Sequence, residues 1–306
     1  MTLQQLRDFL SVLRHGSLRA AARSQGVSQA GLTNSLRGLE RSLGTTLLVR
    51  GGRGVHPTPA GERLRARAML IVAEADRAIA DAGAGSMPVR VGFSPTPGAL
   101  LLPLVLPHFR QRQPEADLRL TGGLFERLLP AVRDGQLDFA VLSLPEGGAG
   151  AGMESSVLMK TAMAVVARRG HPMARARGLE ELASYEWVLM GPPEAPGGTA
   201  IRFFREVGLP PPRIAVSCDS FTQVSALLGS TDYLALLPRL VLERELLGPR
   251  LAEIAVRERA RSYDVALVWR AGSPPSGPAA ELASMLTSCA RSMGRVGGHR
   301  GRNGAG

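Results

Sequence analysis

Residues 17–44 constrain the fold more than any other stretch. Ser17 can cap a short helix, LRAAARSQ, whose Leu18, Ala21 and Ala22 are apolar or small. Gly26-Val27 leaves room only for a tight turn, and Ser28 then caps a second helix within VSQAGLTNSLRGLE. Two helices joined this closely must cross steeply, with small residues where their backbones approach. The second helix is two-sided: at about 100° per residue, Leu32, Leu36 and Leu39 fall within about 60° of arc. Ala30, Thr33, Asn34 and Arg37 lie across the axis from them. The pattern is that of a helix-turn-helix, whose second helix projects into the major groove of DNA.

The flanks agree. Thr2 and Gln5 form a capping box ahead of the stripe Leu3, Leu6, Leu10 and Leu13, and Gly16 sits where that helix should stop. After Gly44, TTLLVR (45–50) and GVHPT (54–58) flank Gly51-Gly52-Arg53 and read as a small hairpin with an arginine on its turn. Thr58 caps a further helix with Pro59 in its first turn, running to about Ala82, or about 36 Å at 1.5 Å per residue. Leu64, Ala68, Ile71, Ala75 and Ile79 line one side at near-heptad spacing. A seam of that kind requires a partner, so these residues are expected to pair two copies of the chain. GAGSMP (83–88) reads as a linker.

From Val89 the sequence alternates strands and helices. VRVGFS, DLRLTG and LDFAVLSL read as strands, with GALLLPLVLPHFRQRQP and LFERLLPAVRDG as the helices between them. Such alternation predicts a mostly parallel sheet covered on both faces. The Gly/Ala-rich segment 145–153 interrupts it. The alternation then continues through WVLMG, RIAVSC and YLALLP to YDVALVW. An amphipathic segment near Ala279–Met293 and a basic tail expected to be disordered close the chain.

Charge follows the same division. The net charge of +11 is concentrated at the ends. Residues 1–82 hold twelve arginines against six acids, while 83–290 are nearly balanced, as a polyanion-binding module joined to a neutral body would be. No apolar run reaches the ~18 residues of a membrane span, and no secretory leader is visible. Cys218 and Cys289 stand far apart without metal-type spacing, which suggests a reduced, cytoplasmic setting and no metal. G-x-G-x-x-G, phosphate-loop, H-E-x-x-H and G-x-S-x-G motifs are all missing, so no enzyme and no cofactor are expected.

These residues resemble a family. The run from Thr2 to Gly61 is similar to the N-terminal domain of LysR-type transcriptional regulators. The landmarks are Leu6-Arg7-X-Phe9, Gly16-Ser17, Ala21-Ala22, Val27-Ser28-Gln29, Leu39-Glu40, Leu43-Gly44 and Arg53-Gly54-Val55 through Thr58-X-Ala60-Gly61. GFSPTPGALLLPLVLPHFRQRQPE and DGQLDFAV resemble the family's sensor, which is similar to periplasmic binding proteins. The resemblance implies a winged helix-turn-helix at 1–58, a linker and dimerisation helix with hinge at 59–87, a two-lobed α/β effector-binding domain at 88–293 and the tail at 294–306. It also implies a homodimer, or a dimer of dimers, on a double-stranded DNA operator, a small organic effector, and RNA polymerase among the partners such a regulator can meet.

On DNA, Gln29 and Asn34 carry the donor–acceptor pair that grips adenine, Arg37 reaches guanine or phosphate, and Thr33 meets a thymine methyl. Ser28 and Ala30 sit at the helix start, while Arg50 and Arg53 suit phosphate or minor-groove contact. In the sensor, the resemblance places Ser94, Pro95, Thr96, Gly123 and Phe125 on one side of a cleft. Met190, Gly191, Thr199, Ser220 and Phe221 face them. The chain departs from the family pattern at Gln25, at Ala30-Gly31, at Asn34 and at Phe125. An anion-receiving helix start beside Phe125 and Phe221 predicts a small acid with an apolar or aromatic body. The alternative is a ligand-independent DNA-binding repressor with an unused cleft.

Overall fold

A computed structural model of the protein describes residues 1–51, 54–82, 88–193, 199–244, 246 and 248–297. The chain divides into two compact units, one of Met1–Met87 with Asp134–Gln136, the other of Pro88–Arg133 and the residues from Leu137 on.

In the first unit, α1 (Leu3–His15), α2 (Leu18–Gln25) and α3 (Gln29–Leu43) each begin on a capped turn and end on a left-handed glycine. The Thr2–Gln5 capping box forms, and the hydroxyls of Ser17 and Ser28 accept from the amides of Ala20 and Gly31. Val27 N–H donates to Ala22 O and closes the turn between α2 and α3. Leu6, Phe9, Val12, Leu18, Ala21, Leu32 and Leu39 form the core. The wing follows, β1 (Leu48–Gly51) antiparallel to β2 (Gly54–Pro57). It ends at α4 (Pro59–Ala82), whose start is tied back: Thr58 Oγ1 accepts from Gly61 N and donates to Thr46 O. Gly61 has to be glycine, because a Cβ there would fall 2.1 Å from Leu47 O.

The expected seam of α4 is divided. Ala68 is fully buried in the domain's own core and Leu64 packs against the same cluster, because α1 packs against α4. Ala68 therefore has no surface left for a partner, while Leu64 keeps part of its own. Arg7 of α1 is ion-paired to Asp76 of α4. Ile71 and Ile79 are 43% and 61% exposed, with Ala75 half-buried, so the apolar surface left for pairing lies in the second half.

The second unit has two lobes. In the first, β3 (Val89–Phe93), β4 (Leu118–Gly122) and β5 (Phe139–Ser143) run parallel. β6 (Met153–Thr161) and β12 (Tyr263–Arg270) complete the sheet in the order β4-β3-β5-β12-β6, with β12 antiparallel to both neighbours. Helices α5 (Pro95–Arg112) and α10 (Gly277–Gly297) cover one face around Phe109, Phe139 and Leu282; α6 (Phe125–Arg133) covers the other. The chain crosses at Ala162 into β7 (Met163–Arg168) of the second lobe and returns through residues 255–262. There β8 (Glu186–Met190) pairs with β9 (Arg213–Cys218), and β7 lies between β10 (Ala235–Pro238) and β11 (Leu251–Ile254). Val188 N–H to Leu234 O and Leu234 N–H to Glu186 O join the two sheets. α7 (Thr199–Glu206) and α8 (Phe221–Ser230) pack on opposite faces, and a short α9 (Leu240–Glu243) closes the lobe. Trp187 meets Phe204 edge-on at 5.2 Å in the core.

Two expectations need refinement. The sheet of the first lobe has four strands running one way, with β12 alone reversed between β5 and β6. Residues 294–297, assigned to the tail, belong to α10; the rest of the tail, 298–306, lies outside the described residues.

Candidate functional site

The first surface is the outer side of α3. Burial of Leu32 (1% exposed), Leu36 and Leu39 fixes its inward face, so Gln29, Ala30, Asn34 and Arg37 are exposed together. Thr33 Oγ1 donates to Gln29 O, which uses up its proton. The Ser28 hydroxyl is engaged as the cap. These side chains share one edge, with both amides and the guanidinium available for hydrogen bonds. Arg50 lies on β1, its side chain outside what the structure describes, and Arg53 lies outside the described residues altogether.

Two acids hold α3 in place, and sequence reasoning assigned a role to neither. Asp8, 5% exposed, accepts from Ser35 Oγ of α3 and from Gln4 Nε2, locking α1 to the back of α3. Glu40 Oε1 accepts from the backbone amides of Leu47 at 2.7 Å and Leu48 at 3.2 Å, pinning the start of the wing to the end of α3. An acid at the last turn of a helix ahead of a strand was the available signal, visible as Leu39-Glu40.

The second surface is a cavity of about 330 Å³ between the lobes of the second unit. Ser94, Pro95, Thr96 and Phe125 line it from the first lobe, and Met190, Thr199 and Phe221 from the second. Gly123, Gly191 and Ser220 are not among its lining residues; they shape the turns behind it. Gly123 N–H donates to Phe93 O, Gly191 takes φ +91° with its N–H on Cys218 O, and Ser220 caps α8.

Helix α5 opens on this cavity in an unusual way. Pro95 and Pro97 carry no N–H, so Thr96 supplies the one amide donor of its first three residues. Ser94 is the N-cap, yet its hydroxyl makes no capping bond; it is buried, 6% exposed, with no hydrogen-bond partner. A buried hydroxyl left this way at a helix start invites an acceptor from a ligand. Phe125, Phe221, Met163, Met190 and Leu236 supply apolar walls.

Several lining residues were not anticipated. Lys160, Arg202 and Arg261 bring positive charge, and Glu126, Glu146 and Asp264 balance it. Glu146 accepts from Arg261 at 2.6 Å, and Arg261 Nε lies 3.2 Å from Glu206 on α7. The hydrogen bond from Arg261 holds the Glu146 carboxyl below the usual range. Tyr263 lines the cavity too; desolvation pushes its phenol up to about 12, while its hydrogen bond with Ser143 pulls the other way. Its proton therefore stays in place at neutral pH.

The remaining chemistry is structural. His171 is buried; Met173 N–H donates to its Nδ1, and its Nε2 is 3.0 Å from Asp232 O, closing a turn. Desolvation raises the thiols of both Cys218 and Cys289, which pack in the cores of different lobes. Among the described residues no three His, Cys, Asp or Glu cluster as metal ligands. No described helix is long and apolar enough to cross a membrane.

Comparison with known proteins gives two family matches. Residues 3–62 match the bacterial regulatory helix-turn-helix protein, lysR family, and residues 82–290 match the LysR substrate binding domain. The SDS degradation transcriptional activation protein of a Pseudomonas species is 31% identical over 290 residues, covering 91% of this chain and 93% of that protein. A probable hydrogen peroxide-inducible genes activator of Streptomyces viridosporus is 30% identical, covering 95% of each. Among solved structures, a full-length OxyR variant from Pseudomonas aeruginosa superposes with a TM-score of 0.68 at 23% identity, covering 95% of each chain.

Proposed function

The chain belongs to the LysR family of DNA-binding transcriptional regulators, and from that membership we propose that its sensor cleft takes a small organic acid with an apolar or aromatic body. The observation that carries this reading is the buried, unpartnered Ser94 hydroxyl at the start of α5. A carboxylate or sulfonate there would accept from Ser94, from the Thr96 hydroxyl and from the Thr96 amide, with the helix dipole behind them. Phe125 and Phe221 would flank its body.

The exposed edge of α3 then reads the operator, Gln29 and Asn34 by bidentate contact with adenine and Arg37 with guanine or phosphate. Arg50 and Arg53 on the wing hold the backbone. Ile71, Ala75 and Ile79 pair two copies of the chain, giving the two half-site contacts that a specific operator needs. Such a regulator works in the cytoplasm, catalyses nothing and answers to its effector. A relative's name raises peroxide as another signal. That chemistry needs an accessible thiolate, whereas burial keeps Cys218 and Cys289 protonated and neither lines the cleft.

Calorimetry on the full-length protein tests the effector class, titrating benzoate and benzenesulfonate beside glucose and glutamine. Ser94→Ala should weaken the aromatic acids about tenfold, the loss of one charge-assisted hydrogen bond. Tight binding of glucose or glutamine, with the acids silent, would overturn the reading. So would acid binding that Ser94→Ala leaves unchanged.

A further inference from the structure

One positive charge on the cleft wall has no use in that account. Among the described residues the cations lining the cavity are Lys160, Arg202 and Arg261. Lys160 stands 3.9 Å from Asp264, and Arg261 is held by Glu146 at 2.6 Å and by Glu206 at 3.2 Å. Arg202 is half-buried, yet it makes no hydrogen bond and no ion pair among the described residues. Its charge reaches Glu146 only through space. What holds that carboxyl low is first the hydrogen bond and the charge of Arg261, and last the charge of Arg202. A half-buried guanidinium carries five N–H donors, and here no protein acceptor claims them.

Helix α7 aims this side chain. At about 100° per residue, Thr199, Arg202 and Glu206 fall within about 60° of arc, while Ala200, Phe203 and Phe204 turn into the core of the lobe. Thr199 and Arg202 both line the cavity, and Glu206, one turn further, is engaged by Arg261. Thr96, at the start of α5, lines the cavity from the first lobe, and Arg202 lines it from the second. We propose that Arg202 receives a second acidic group, so that the effector is a small dicarboxylic acid bridging the two lobes. The inference rests on the acid reading above, which seats the first carboxylate at the start of α5.

The guanidinium selects the group. Its planar fork matches the two oxygens of a carboxylate, which supply charge and a pair of acceptors together. A neutral carbonyl would take fewer of the donors and leave a partly desolvated charge unmatched. The Glu146 charge that would oppose a second carboxylate is already met by Arg261 at hydrogen-bond distance. The cavity, about 330 Å³, lies near the lower end of the range for ligand pockets, about 300–1,000 Å³, which suits a single ring with two carboxylates. Bridging also gives the ligand a lever. A mono-acid bonded to α5 alone favours no arrangement of the lobes. A diacid gains its second contact only where α7 stands within reach, and so shifts the population toward that arrangement.

The test is calorimetry on the full-length protein with benzoate, isophthalate, terephthalate and 4-carbamoylbenzoate. The tighter of the two diacids should bind about tenfold or more tightly than benzoate, and more tightly than the carbamoyl acid, which keeps a carbonyl but not the charge. Arg202→Ala should bring the ratio to benzoate close to one. Arg202→Lys, which keeps the charge and loses the fork, should leave it in between. In amide hydrogen exchange the diacid should protect the starts of both α5 and α7, and benzoate that of α5 alone. The assignment of Arg202 would be overturned if neither diacid binds better than benzoate, or if the carbamoyl acid matches them. A preference that survives in Arg202→Ala, or diacid protection confined to α5, would overturn it too. If benzoate binds and Ser94→Ala weakens it while no diacid preference is seen, only this inference fails. If none of the four acids binds, both it and the acid reading fall.

Discussion

Replacing Glu40 with alanine should loosen the wing without touching the reading edge of α3. One carboxylate oxygen receives two backbone amides, Leu47 at 2.7 Å and Leu48 at 3.2 Å, and Leu47 is 2% exposed. Hydrogen bonds to a charged group contribute about 1.5–3 kcal/mol each. The longer one contributes least, and water can reach part of the vacated site because Glu40 is only half-buried. The expected loss is about 2–3 kcal/mol for Glu40→Ala and about 1 kcal/mol for Glu40→Gln, which keeps a neutral acceptor. In a domain of this size each kcal/mol moves the midpoint by about 4–8 °C. The first unit should therefore melt about 10 °C or more lower. Tryptophan fluorescence will miss the change, because Trp187 and Trp269 both lie in the second unit. The direct assay is amide hydrogen exchange, in which Leu47 and Leu48 should lose protection before the rest of the domain. DNA affinity should fall for all sequences alike, since the proposed reading gives the backbone to the wing and the choice of bases to the α3 side chains. Unchanged exchange at Leu47 and Leu48 in Glu40→Ala would refute the tie.

Two further outcomes follow from the same placement of side chains. Asn34→Ala should cost about 1–3 kcal/mol of discrimination at individual base pairs of a selected operator, with weak non-specific binding retained; unchanged ratios across single-base operator variants would mean that α3 reads with another edge. Ile71→Glu puts a charge on the exposed half of α4 and should give a monomer in sedimentation that no longer holds the operator, while the melting of the second unit stays put; a dimer of normal mass would remove α4 from the interface.

The first unit was legible because each of its rules is local. Thr2, Ser17 and Ser28 cap, Gly16, Gly26 and Gly44 stop, and three leucines turn α3 inward; each acts within a few residues of the chain. The limit of local reading appears in α4. A spacing of Leu64, Ala68 and Ile71 says that these residues share a face, but not whether that face meets a second copy or the chain's own α1. Only the tertiary arrangement decides, and it gives Ala68 to the domain's own core, with Leu64 packed against its edge. Likewise, Gly123, Gly191 and Ser220 lie at the right turns for the cleft but contribute backbone geometry instead of lining atoms.

In the second unit the strands that escaped the alternation pattern are the ones that complete the cleft. β6 runs along a sheet edge, so ESSVLMKT mixes polar and apolar residues and gives neither a buried run nor a clean two-residue period. β7 follows after a single residue, too close for a helix to punctuate it. Yet Lys160 stands near the end of β6 and Met163 begins β7, both at the point where the chain crosses between lobes. A buried strand of Val, Leu and Ile is easily recognised because it has nothing to do but pack. A crossing that must carry an ammonium beside Asp264, turn between sheets and leave polar atoms for a ligand has to break that pattern. The same holds at Ser94, where two prolines remove the amides an ordinary helix start would offer and leave the hydroxyl without a partner. In this unit, departures from the local rules coincide with residues that line the cleft.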